Sequence, residues 1–138
     1  QAVPHHAVVV ALLWRGQRVL VQRRPANKLL GGLWEFPGGK LTAGEEPRAG
    51  LAKRCLAELG LSVTARQPLP PVRHAFTHFK ITVQPWQAEL APGEPRPLAS
   101  DEVRWVTLDE AAALPFSKVG LRILSALRKL SEAGGLPA

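Results

Sequence analysis

The chain has 138 residues, 46% of them hydrophobic and 21% charged, with 18 Lys and Arg against 11 Asp and Glu for a formal charge of +7. That length suits one domain burying roughly two-thirds of the surface its unfolded form exposes, and no apolar run nears membrane-spanning length, so a membrane partner is not expected. The basic balance favours polyanionic partners, while a single cysteine, Cys55, excludes an internal disulfide or a multi-thiolate metal site and suits a reducing, cytoplasmic compartment.

From the N-terminus, His5 to Trp14 is a β-branched and aliphatic run, the mark of a strand buried on both faces. Arg15-Gly16-Gln17 turns it back into Arg18 to Arg23, giving a β-hairpin. His5 and His6 do not make a metal pair, because neighbouring side chains on a strand point to opposite faces. A basic loop, Arg23 to Lys28, leads into Leu30-Gly31-Gly32-Leu33-Trp34-Glu35-Phe36-Pro37-Gly38-Gly39-Lys40. Its two Gly pairs bracket a short buried strand that is entered and left through backbone passing close to other groups.

Gly39-Lys40-Leu41 reads as a short strand and Thr42-Ala43-Gly44 as a turn. Pro47 belongs in the first turn of a helix, where Glu45 and Glu46 favour its positive N-terminal end. Leu51, Ala52, Cys55, Leu56 and Leu59 form one apolar stripe and Gly60 a C-cap, so Cys55 reads as a core residue. A strand begins near Leu61, and Val72 to Leu90 is a hairpin or bent strand pair turning at Thr77 and His78. Glu102 to Val106 is a last strand, Leu108 to Leu114 a short helix, and Ser117 caps a final helix running to about Leu130. That helix buries Phe116, Val119, Ile123, Leu124, Leu127 and Leu130, and the basic side with Lys118, Arg122 and Lys129 reads as solvated.

The stretch from Leu30 to Lys40 resembles the lead-in to the Nudix box, and its wording is closest to the Nudix-like C-terminal domain of bacterial adenine DNA glycosylases. The resemblance implies an α/β fold with a mixed β-sheet sandwiched between helices, in an α/β/α arrangement. The Nudix box is a Gly, five residues, a Glu, seven residues, then Arg-Glu, an apolar residue, any residue, Glu-Glu, any residue and Gly followed by an apolar residue. Here Gly39, Glu45, Cys55, Glu58, Gly60 and Leu61 match in correct spacing. The box gathers carboxylates that hold divalent cations on a diphosphate and activate water. Lys53, Arg54 and Ala57 stand where its Arg and two of its Glu should be, so only Glu58 remains on the helix. A guanidinium repels a cation, and Arg54 and Glu58, four apart, are spaced to pair with each other. No catalytic residue is therefore expected in this chain. Glu45 and Glu58 are metal ligands only under an alternative reading, a Mg²⁺-dependent Nudix hydrolase of oxidised or ordinary nucleoside triphosphates with a diverged box.

A second segment, His74-Ala75-Phe76-Thr77-His78-Phe79-Lys80, resembles the Phe-Ser-His loop of the same glycosylase domain, with Thr77 in place of Ser. With Arg23-Arg24-Pro25 and Leu114 to Lys118, the resemblance spans nearly the whole chain in the family's order. It implies a domain that reads 8-oxoguanine in double-stranded DNA opposite the adenine that an N-terminal catalytic domain excises. Phe76, Thr77 and His78 become the candidate lesion-reading residues, and Arg24, Arg73 and Lys80 the candidate phosphate contacts. A hydroxyl both donates and accepts, which suits the N7–H donor and O8 acceptor of the oxidised base. The glycosylase reaction, and the 4Fe-4S cluster that accompanies it in that family, belong to the parent enzyme's other domain, because one Cys cannot hold a cluster. With no Met and a start at Gln1, residues 1–138 are expected to be one excised C-terminal domain of a bacterial, cytoplasmic, nucleoid-associated glycosylase. A third reading is a Nudix-fold module that packs on a partner protein.

Overall fold

A computed structural model describes residues 3–136; Gln1, on which the expectation of an excised domain rests, lies outside them. The strands are β1 (His5–Arg15), β2 (Arg18–Arg23), β3 (Trp34–Glu35), β4 (Gly38–Lys40), β5 (Val63–Pro68), β6 (Val72–Ala75), β7 (Lys80–Leu90) and β8 (Glu102–Val106). The helices are α1 (Pro47–Leu59), α2 (Leu108–Ala112) and α3 (Lys118–Glu132). The sheet is mixed. β1 runs parallel to β7 from His5 opposite Lys80 to Leu13 opposite Ala88, while its pairings with β2 and β4, and those of β7 with β5 and β6, are antiparallel.

The expectation that β1 is buried on both faces holds. Val10 and Leu12 join one apolar cluster with Phe116, Ile123, Leu124 and Leu127 at α3, and Val9, Ala11 and Leu13 join another with Leu51, Cys55 and Leu59 of α1. Alternation along one strand thus feeds two helical layers, giving the expected α/β/α sandwich.

Local signals place the helices. Glu46 is the N-cap of α1, accepting from the Arg48 and Ala49 N–H groups, with Pro47 next and Gly60 closing the helix at φ 75°. Thr107 and Glu110 form a capping box on α2, and the Ser117 hydroxyl accepts from Gly120 N–H at the start of α3. The final helix runs to Glu132, past the expected end near Leu130, and α2 stops at Ala112. The strand expected at Gly39 to Leu41 is Gly38–Lys40, because Gly38 pairs with Val10 of β1. Gly38 has φ 141°, and a Cβ there would collide with the Val9 carbonyl oxygen, so the close approach inferred from the Gly pair is real.

Leu127 is fully buried between α3 and the sheet. Leu127→Ala should cost ~2–5 kcal/mol, the range for an enclosed leucine that leaves a cavity; urea unfolding followed by tryptophan fluorescence measures it, and the midpoint should fall with little change in slope.

Candidate functional site

Two polar groups and one cleft gather around the Gly-rich stretch. In the first group the box carboxylate Glu45 receives both arms of the Arg54 guanidinium, Nη1 at 3.0 Å from Oε2 and Nη2 at 2.9 Å from Oε1. Arg54 Nη1 also donates to the Gly50 carbonyl at 3.0 Å, and Glu45 accepts from Thr42 N–H and hydroxyl. The Arg54 hydrogen bonds, followed by that from the Thr42 backbone, hold the Glu45 carboxyl down at about 2. Two expectations are corrected here. Arg54 pairs with Glu45, not with Glu58, because the turn from Thr42 folds Glu45 over the first turns of α1. Glu45 stabilises that turn, and Glu46 alone caps the helix.

The second group is centred on Gln22, a polar side chain 1% exposed on β2. Its amide nitrogen donates to Glu58 Oε1 at 2.6 Å and to Glu35 Oε2 at 3.3 Å, and the Gly38 N–H also points at Glu58. Arg24 reaches Glu35 Oε1 at 3.1 Å. Burial pushes both carboxyls above the ordinary carboxylate range; the bonds from Arg24 and from Gln22 respectively oppose it, and the charge of Glu35 raises Glu58 further. Cys55, on the inner face of α1, has its thiol pushed up to about 12 by burial and by the charge of Glu58, as befits a core residue.

Beside these groups lies a cleft of about 530 Å³. Its floor is Val8, Val10, Ile81 and Val83 of the parallel strand pair, and its far wall is the start of α3, Ser117 to Gly120. Leu30, Leu33 and Phe36 come from the Gly-rich stretch, and Arg24, Glu35, Lys40 and Lys118 bring charge. One rim carries an aromatic ladder: ring centroids are 5.4 Å apart for His6 and Phe79, and 4.6 Å apart for Phe79 and Phe76 and for Phe76 and His74. Such a mostly apolar cavity with a few convergent polar groups has the chemistry of a small-molecule site.

The structure divides the candidate residues of the sequence. Phe76 lines the cleft and is 40% exposed. Thr77 and His78 sit at the exposed tip of the β6–β7 hairpin, closed by the Phe76 N–H donating to the Phe79 carbonyl at 2.7 Å. Arg24 is in the cleft but is already engaged by Glu35 and the Leu29 carbonyl. Arg73 and Lys80 are exposed and stand opposite Thr82 and Ala75, on the sheet face away from the cleft, since the intervening pair His74 and Ile81 faces into it. The sequence reading gave no role to Gln22, took His6 only as half of a rejected metal pair and Lys118 as part of a solvated helix side, and did not join Phe79 to His6. The structure puts Lys118 at the cleft and packs His6 against Phe79.

This sequence matches the NUDIX domain family over residues 8–126. The chain belongs to that family. An 8-oxo-dGTP diphosphatase of Proteus vulgaris is 34% identical over 90 residues, covering 62% of this chain and 80% of its own length. The adenine DNA glycosylase of Rattus norvegicus is 34% identical over 100 residues, covering 69% of this chain but 19% of its own. Among solved structures, that of the E. coli ORF135 protein superposes with a TM-score of 0.82 at 26% identity, covering 95% of this chain and 94% of the other.

Nudix hydrolases use Mg²⁺ held by the carboxylates of the box, and the residues present here do not fit that ion. Arg54 puts a guanidinium on Glu45, Ala57 supplies a methyl group, and Glu58 is bound by Gln22 and Gly38. Among the described residues no three His, Cys, Asp or Glu side chains converge as a cation site.

Because the folded-state value of Glu58 lies above the ordinary one, its contribution to stability is fully present below the ordinary carboxylate range and is lost as pH rises through the raised value. Glu58→Gln keeps an acceptor for Gln22 and Gly38 and removes the charge. Thermal unfolding should find this variant more stable than wild type at about pH 7 and show the difference shrinking towards about pH 4.

Proposed function

We propose that this domain recognises 8-oxoguanine in DNA and binds without hydrolysing. The observation that carries the proposal is the Arg54–Glu45 ion pair, which places a fixed positive charge on the box where hydrolysis needs anionic ligands. The base-binding half of the fold is intact beside it, with an apolar cleft, a half-exposed Phe76 on its rim, and Lys40 and Lys118 near its mouth. Thr77 and His78 project from the hairpin tip next to Phe76, where a Thr hydroxyl is able to accept from N7–H and donate to O8 of the oxidised base. Arg73 and Lys80 lie on the other face of the same hairpin, away from the cleft, and would meet phosphate only where the duplex wraps past the tip. The partners are then duplex DNA with 8-oxoguanine opposite adenine, and the catalytic domain of an adenine DNA glycosylase.

Mg²⁺-dependent hydrolysis of an oxidised nucleoside triphosphate is the second reading, and the relatives favour it over the first. The Proteus diphosphatase is matched over 80% of its own length, the rat glycosylase over 19%. Under that reading Glu45 and Glu58 are the oxygens left for the cation, and Arg54 would first have to leave Glu45.

Pyrophosphate release from 8-oxo-dGTP with Mg²⁺ or Mn²⁺ separates the two. The lesion reading expects none above the metal-free background; turnover that disappears in Glu58→Gln establishes the hydrolase. For the lesion reading itself, Thr77→Val should weaken the preference for 8-oxoguanine over guanine by ~1–3 kcal/mol, the worth of one good base-edge contact. Fluorescence anisotropy on matched duplexes at fixed salt measures this, and an unchanged preference would remove Thr77 from the reading.

A further inference from the structure

We infer that the Arg54 guanidinium is a built-in replacement for the divalent cation of the Nudix box, turning the box into a cation-independent clamp that two substitutions would convert back into a metal site. This rests on the family membership and not on which base or nucleotide the cleft takes. Of the box positions that survive, Arg54 touches or faces Gly39, Glu45 and Glu58. Its guanidinium is bidentate on Glu45. Its Cδ lies 3.4 Å from the place a Gly39 Cβ would take. One turn along the same face of α1, Glu58 lies within reach of its charge.

The pair is half-buried. The Arg54 and Glu45 side chains are 19% and 16% exposed, far less than those of the surface pairs Arg15–Glu94 or Arg66–Glu89. The surroundings are fitted to it: a Cβ on Gly50 would come within 3.0 Å of the Glu45 carboxyl carbon, 3.2 Å of Arg54 Nη1 and 2.5 Å of Leu41 Cδ2. Position 50 thus remains glycine where a helix interior would gain from alanine. A hard cation needs six or more oxygens around it, whereas a guanidinium needs one carboxylate in its plane and a carbonyl beside it. Glu45 and the Gly50 carbonyl meet that smaller demand. Replacing the Glu of the box by Arg54 therefore makes the second loss, at Ala57, harmless, because no cation is left to be ligated.

The reversal is Arg54→Glu with Ala57→Glu, which would set carboxylates at 45, 54, 57 and 58 on one side of the loop and helix. Melting temperature with EDTA and with ~10 mM MnCl₂, together with the free Mn²⁺ signal in electron paramagnetic resonance, reads the outcome. Wild type should bind no Mn²⁺ and melt at the same temperature in both buffers. In EDTA the double variant should melt below wild type; it should take up Mn²⁺, and recover its melting temperature when the ion is present. Arg54→Gln, which keeps a donor and drops the charge, should melt lower than wild type and, with Ala57 still a methyl group, show no Mn²⁺-dependent rise. Tight Mn²⁺ binding by wild type overturns the inference. So does a folded double variant that takes up no Mn²⁺, or an Arg54→Gln protein that melts with wild type in EDTA, the latter deciding the matter if the double variant cannot be refolded.

Discussion

The parallel pairing of β1 with β7 is the constraint on which the rest of this structure depends. It joins His5–Arg15 to Lys80–Leu90 across most of the chain and fixes which side chains of each strand face α1 and which face α3. A slip by one residue would exchange the two faces and drive Val10 and Leu12 out of the α3 layer. That slip is resisted from both sides at once, since Val9 to Leu13 are all buried. The same pairing forms the floor of the cleft, so the scaffold and the cleft share one set of hydrogen bonds.

On the α1 side the box has kept its backbone and changed its charges. The cap at Glu46, the left-handed Gly60 and the tight passage at Gly38 are what any sequence needs to fold this loop and helix, whatever chemistry follows. Arg54 and Ala57 show that the electrostatic part is separable from the geometric part. A neighbouring pair of carboxyls, Glu35 and Glu58, persists next to the altered site, tied together by one amide and opposed by burial.

Much of this was legible in the sequence, for reasons that are local. A β-branched Val, Ala and Leu run closed by a Gly turn reads as a strand buried on both faces, Gly60 ends a stripe that has run out of apolar residues, and Ser117 begins one. The turn at Thr77 and His78 also follows from the residues alone. Relations set by tertiary register were not visible. Arg54 has an acidic residue four positions on and another nine positions back, and spacing on a helix favours the first, whereas the folded loop supplies the second. The ladder from His6 through Phe79 and Phe76 to His74 links two strands far apart in sequence. Arg73 and Lys80 read as neighbours of the loop, but strand alternation turns them to the opposite face.

The cleft draws its floor from β1 and β7 and its far wall from α3, so its parts come from the beginning, the later middle and the final helix of the described chain. Contacts of such long separation form late and slowly, after their loops have been closed against entropy. Folding from the N-terminus can complete the hairpin of β1 and β2 and the helix α1 early, yet β1 keeps an unpaired apolar edge until β7 arrives. The box and the hairpin are thus built from near neighbours in sequence, and the cleft from distant ones. The cleft cannot exist until α3 has packed on the sheet, so any ligand of the cleft binds only the finished fold.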